Sequence, residues 1–236
     1  MSESYKKVVR VLSGRREGMT RGEISKNTHI SGGTLSTILK NLENSDFILS
    51  YRNFGMKKKD AIYRLTDFYT FFYFKFVENS DTSDNHYWEK FQNSPSVTIW
   101  QGFAFELVCL THLAQIKKAL GIAAVSTEAS SWRSDDKYNA GEVSAKLKDK
   151  AQIDLVISRA DRIINLCEIK FSKEEYSISK EYEDKLRRKM SVFRDATKTK
   201  YGIVLTLVTT YGLIPNIHSG IVQKQILLDD LFQTDE

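Results

Sequence analysis

The chain has 236 residues, 41% of them hydrophobic and 11% aromatic, enough apolar material for one large domain or two modest ones and too much for an intrinsically disordered chain. Two cysteines in distant apolar runs, Cys109 and Cys167, argue against a disulfide or zinc framework and for buried thiols in a reducing compartment. The formal net charge of +5 is uneven: residues 1–65 hold 13 Lys/Arg against 6 Asp/Glu, so this first part is the one expected to meet a polyanion. The N-terminus lacks a signal-peptide pattern and no apolar run is long enough to span a bilayer, so a cytoplasmic protein without a membrane partner is expected.

In chain order, Val8, Val9 and Leu12 stand at helical spacing over residues 5–12. Thr20-Arg21-Gly22-Glu23 has the form of a capping box and opens a short helix through Lys26. Ser31 is placed to cap a third helix, whose Leu35, Ile38, Leu39 and Leu42 repeat at i, i+3, i+4 and i+7. Its outer face is small and polar, with Thr34, Ser36, Thr37 and Lys40, as close approach to a phosphate backbone requires. Two strand-like runs follow, residues 47–52 and 61–65, joined by a tip with Gly55 and Lys57-Lys58-Lys59.

Three helices and a basic-tipped hairpin over residues 4–66 resemble the winged helix-turn-helix family. The resemblance implies DNA as partner, with Arg21, Ser31, Thr34, Ser36, Thr37, Lys40, Arg52, Lys57, Lys58 and Lys59 as candidate contacts. The outer face of the third helix has no arginine or glutamine for bidentate base reading, which favours backbone contact over sequence readout. A solvated basic face or a protein-interaction module is the alternative.

Residues 66–77 are dense in Phe and Tyr, read as a buried helix clamping two domains rather than a base-stacking platform. The polar stretch from Asn79 to Asn85 reads as a linker. The expected organisation is therefore 1–66, a connecting segment 67–95, and a second domain 96–236. Residues 96–120 predict one long amphipathic helix on which Glu106 is the only acid. Residues 123–127 are expected as a first strand, and the charged stretch 134–150 as a mobile loop.

Gln152-Ile153-Asp154-Leu155-Val156-Ile157 and Leu166-Cys167-Glu168-Ile169-Lys170 then read as a hairpin across a turn at residues 158–162. The strand period of two sends Glu168 and Lys170 to one face. Charges in so apolar a setting are costly unless they pair or hold a metal. A basic amphipathic helix marked by Ile178, Tyr182, Leu186, Met190 and Phe193, a strand at 201–209, a strand at 221–226 and a short helix at 229–232 complete the chain. The expected fold class is α/β, a mixed sheet flanked by helices.

Asp154 with the Glu168-Ile169-Lys170 triplet resembles the PD-(D/E)XK nuclease superfamily, and the order of elements resembles its restriction-endonuclease-like core. The resemblance implies Mg²⁺ (or Mn²⁺) held by Asp154 and Glu168, with Glu106 as a third acid and Lys170 acting on the attacking water or the phosphate. A structural ion pair between Asp154 and Lys170 is the alternative reading.

Taken with Tyr63-Arg64-Leu65-Thr66-Asp67, Gly102-Phe103-Ala104-Phe105-Glu106, Thr209-Thr210-Tyr211-Gly212-Leu213 and Leu228-Asp229-Asp230-Leu231-Phe232, nearly the whole chain resembles the C-terminal half of prokaryotic AAA+ proteins of the archaeal-ATPase type. That implies an AAA+ ATPase domain, in the same or another chain, as partner. No G-x-x-x-x-G-K-[ST] loop is present, so no nucleotide site is read here. The functional expectations are a DNA-binding, Mg²⁺-dependent deoxyribonuclease, a catalytically silent regulatory module of an ATPase and, third, a transcriptional regulator whose second domain senses a ligand.

Overall fold

The computed structural model describes residues 3–56, 61–78, 80, 84–134 and 151–233, and these divide into two compact units. The first comprises residues 1–52 and 57–104; the second comprises 53–56 and 105–236. Among the described residues no single helix is long and apolar enough to cross a membrane.

In the first unit, α1 (Glu3–Ser13) buries Val8, Val9 and Leu12, the three residues its periodicity singles out. A two-residue strand β1 (Met19–Thr20) leads into α2 (Arg21–Thr28). Thr20 closes the capping box: its side chain accepts from the Glu23 N–H, and the Glu23 carboxylate accepts from the Thr20 N–H at 2.8 Å. The third helix, α3 (Gly32–Asn44), buries Leu35, Ile38, Leu39 and Leu42. Ser31 is its N-cap residue, but the Ser31 side chain makes no capping hydrogen bond, contrary to the sequence expectation. β2 (Ile48–Tyr51) and β3 (Ile62–Leu65) pair antiparallel, and β1 joins the far edge of β3, giving the order β1-β3-β2. Gly18, at φ +72°, makes the entry to β1: a Cβ there would lie 2.5 Å from the Tyr63 carbonyl oxygen.

The aromatic run is one α-helical turn, α4 (Phe68–Phe72), continued by a π-helical turn over Tyr73–Val77. The expectation of a buried helix holds only in part. Phe76 is buried and meets Trp88, Phe91 and Trp100, yet Tyr69 is 71% exposed. A short α5 (Tyr87–Phe91) follows.

The single long helix expected over 96–120 is two, α6 (Pro95–Thr111) and α7 (Leu113–Ala119), bent by 77°. At the break, His112 leaves helical geometry (φ −111°, ψ 36°) and its ring Nδ1 lies 2.8 Å from the Val108 carbonyl oxygen. The first strand of the second sheet is β4 (Thr127–Arg133), displaced toward the C-terminus from the expected 123–127, where the chain instead turns: the Ile122 N–H donates to the Lys117 carbonyl at 2.9 Å and the Val125 N–H to the Ile122 carbonyl at 3.0 Å. The expected loop at 134–150 lies, beyond Ser134, outside the described residues.

β5 (Gln152–Arg159) and β6 (Ile163–Lys170) form the expected hairpin. Helix α8 (Lys180–Thr197) then carries the chain to β7 (Gly202–Thr209), parallel to β6, and β8 (Lys224–Leu227) adds in parallel. The result is a mixed five-stranded sheet, β4-β5-β6-β7-β8, flanked by helices. One face packs Ile153, Val156, Ile164, Leu166 and Leu205 against Leu186 and Phe193 of α8. The other packs Leu155, Ile157, Cys167, Ile169 and Val208 against Phe105, Cys109 and Ile116 of α6 and α7. Both cysteines are free and buried, and burial pushes the Cys167 thiol up to about 12.

Candidate active site

Alternation along β6 places Ile164, Leu166 and Glu168 on the α8 face and Cys167 and Ile169 on the α6 face. On β5 the alternation breaks. Ser130 pairs with Val156 but Trp132 pairs with Ile153, so Asp154 and Leu155 together oppose Ser131. This is a β-bulge, a device that re-aims a side chain and ends regular pairing. It falls on the candidate acid itself. The Asp154 carboxylate accepts the Ile169 backbone N–H at 3.1 Å, which ties the bulge to the middle of the Glu168-Ile169-Lys170 triplet.

Glu168 is 3% exposed and heavily partnered. Lys189 reaches it from α8, with Nζ 2.8 Å from Oε1 and 2.6 Å from Oε2. Lys170 lies 3.2 Å from Oε1, and the Tyr182 hydroxyl donates to the same oxygen at 3.0 Å. Burial pushes the Glu168 carboxyl up, but the Lys189 and Lys170 ammoniums outweigh it and hold the group below the usual carboxylate range. Asp154 has the opposite fate. Burial, then the neighbouring charges of Glu168 and Glu106, raise its carboxyl to about 7. Two acids one strand apart are thereby pushed apart in proton affinity, a perturbation of the kind that clusters at functional sites and also arises in structural ion-pair networks.

The structure brings together Asp154, Glu168, Lys170 and, through its charge on Asp154, the buried Glu106 of α6. The expected alternative of an Asp154–Lys170 pair is not what forms: Lys170 pairs with Glu168, and its Nζ lies over the Tyr182 ring at 5.3 Å from the centroid. Tyr182 in turn meets Tyr176 edge to face, at 5.7 Å between centroids. Lys189 and Tyr182 escape a reading of the hairpin alone, since they lie 21 and 14 residues beyond Glu168. A signal did exist. Tyr182 and Lys189 are seven residues apart, two helical turns, and Lys189 adjoins the apolar stripe of Leu186 and Met190, where a charge needs a buried partner.

Among the described residues no group of three or more His, Cys, Asp or Glu side chains converges closely enough to hold a metal ion as it stands. Mg²⁺ does not require one: it commonly takes one or two carboxylates and keeps waters for the remainder. Asp154 and Glu168 provide two hard oxygen donors, and the neighbouring acids that add to burial in raising Asp154 are what a dication would relieve, so the donor types suit such an ion.

The candidate DNA contacts are placed unevenly. Thr34, Ser36, Thr37 and Lys40 are exposed on α3, with Ser31 exposed just before it. Arg21 does not stand apart from them: its Nη2 donates to the Gly32 carbonyl at 2.8 Å and to Ser36 Oγ at 3.1 Å, bracing the start of α3. Arg52 is half-buried after β2. Lys57, Lys58 and Lys59 lie outside the described residues. Comparison of the chain with family models, with curated proteins and with solved structures found no match to any of them.

Proposed function

We propose that the chain is a DNA-binding protein with a metal-dependent nuclease site of the PD-(D/E)XK kind, hydrolysing DNA phosphodiesters. The observation that carries the proposal is Asp154 at a β-bulge, hydrogen-bonded to the Ile169 N–H between Glu168 and Lys170 on the adjoining strand. The helix that bears Glu106, the hairpin and the parallel β6–α8–β7 connection support a restriction-endonuclease-like core. The three helices and antiparallel β1-β3-β2 sheet support a winged helix, with the exposed face of α3 and the Lys57–Lys59 segment toward the duplex backbone.

In this reading Asp154 and Glu168, with Glu106 as a third acid, would hold Mg²⁺ or Mn²⁺, which would supply an acidified water and neutralise phosphate charge. Lys170, 30% exposed at its side chain and at the end of β6, is the ammonium positioned to meet a phosphate or orient water. Tyr182 and Lys189 fix Glu168 from α8. The test is incubation of supercoiled and linear DNA with the purified chain and Mg²⁺ or Mn²⁺, alongside Asp154→Ala and Lys170→Ala. Metal-dependent nicking lost in both variants supports the reading; nicking that survives in both sinks it.

A second reading is favoured by one observation. Glu168 already has two ammoniums and a phenol on it, a saturated ion-pair network that could serve structure alone. The chain would then be a catalytically silent DNA-binding or regulatory module of an AAA+ ATPase. DNA binding without cleavage, in wild type and variants alike, is the outcome that selects it.

A further inference from the structure

The ammonium of Lys189 occupies the coordination face of Glu168. Both carboxylate oxygens are engaged by this one group, at 2.8 and 2.6 Å, whereas Lys170 touches one of them at 3.2 Å. Lys189 also lines a cavity of about 10 Å³, room for one water, with Ile153, Leu166, Leu186, Met190 and Leu205. Of the residues lining that cavity, only Glu168 carries a side-chain oxygen. An ammonium beside apolar walls is held in place by its acceptor, and its departure strands a charge.

We infer that Lys189 is a resident competitor of the divalent cation at Glu168, an ammonium latch that neutralises the metal-free site and lowers its metal affinity. The inference rests on the metal-dependent reading above. A dication that takes Glu168 oxygens must lift the Lys189 ammonium from both of them. Lys189 is thus a regulator of site occupancy rather than a catalytic group, and its removal should strengthen metal binding although it removes a buried ion pair.

The experiment is calorimetric titration of Mn²⁺ into the full chain and into Lys189→Met, Lys189→Gln and Lys189→Arg, with the fold of each checked by circular dichroism. Met and Gln have a similar length without the charge, and the thioether of Met suits the apolar walls. The neutral variants should bind Mn²⁺ roughly tenfold or more tightly than wild type, the scale of removing one like charge at about 4 Å from the cation. Lys189→Arg should bind no more tightly. Neutral variants that bind no better than a measurably binding wild type overturn the inference and leave the metal site standing. Absence of Mn²⁺ binding in every protein overturns both. Should the neutral variants fail to fold, side-chain ammonium resonances of the wild type decide: Mg²⁺ should shift the Lys189 signal, and an unmoved signal at saturation overturns the latch.

Discussion

At Asp154 and Glu168 the same burial ends in opposite shifts, because Glu168 faces two ammoniums and Asp154 faces two acids. The pH dependence follows with opposite signs. Asp154 is raised to about 7, so between the ordinary carboxylate value and 7 the folded chain holds a proton that the unfolded chain releases. Its contribution to stability therefore falls as pH rises through that window. Glu168, held low, contributes stability that is present above its unfolded value and lost as pH falls below it. In EDTA, the Asp154→Asn protein should melt several degrees above wild type at pH 8 and converge with it near pH 4. Melting curves that differ by the same amount at both pH values would contradict a raised carboxyl at Asp154. Tyr182→Phe removes a hydrogen bond to a buried carboxylate and should cost about 1.5–3 kcal/mol in urea unfolding. A loss under 0.5 kcal/mol, within the ordinary range of surface changes, would mean Glu168 does not depend on that phenol.

Elements show which parts of the fold were legible in the sequence. The caps of α2 and α3 make a controlled comparison. Thr20 closes a reciprocal box, so Thr20→Ala should cost about 1 kcal/mol. Ser31 makes no capping bond, so Ser31→Ala should be nearly neutral in the same denaturant titration, and equal losses would contradict the observed caps. The hairpin was readable because alternation fixes which residues share a face, and it placed Glu168 and Lys170 together. The bulge at Asp154 and Leu155 was not, since no glycine marks it and the register is set by pairing with β4. The bend at His112 was equally hidden: no Gly or Pro marks it, and apolar periodicity runs through the break. Lys189 was missed because its partner is on another element, where only the misplaced charge beside an apolar stripe gave it away.

For the whole molecule, the basic excess lies in residues 1–65, and within them the described structure has an exposed polar helix face on α3. If that face and the lysine run meet phosphate, DNA affinity should fall steeply with salt through counterion release. The triple alanine at Lys57, Lys58 and Lys59 should weaken binding across sequences and flatten the salt slope by up to about 3 in log–log terms. An unchanged slope would remove the lysines from the interface. The second unit's claim is chemical, and fold alone does not decide it. The most direct measurement is a time course of supercoiled-plasmid nicking in Mg²⁺ and in EDTA, by wild type and by a Glu168→Gln protein of matched circular dichroism. The account predicts nicking only by wild type and only with Mg²⁺. Equal nicking by Glu168→Gln, or nicking by wild type in EDTA, would contradict it.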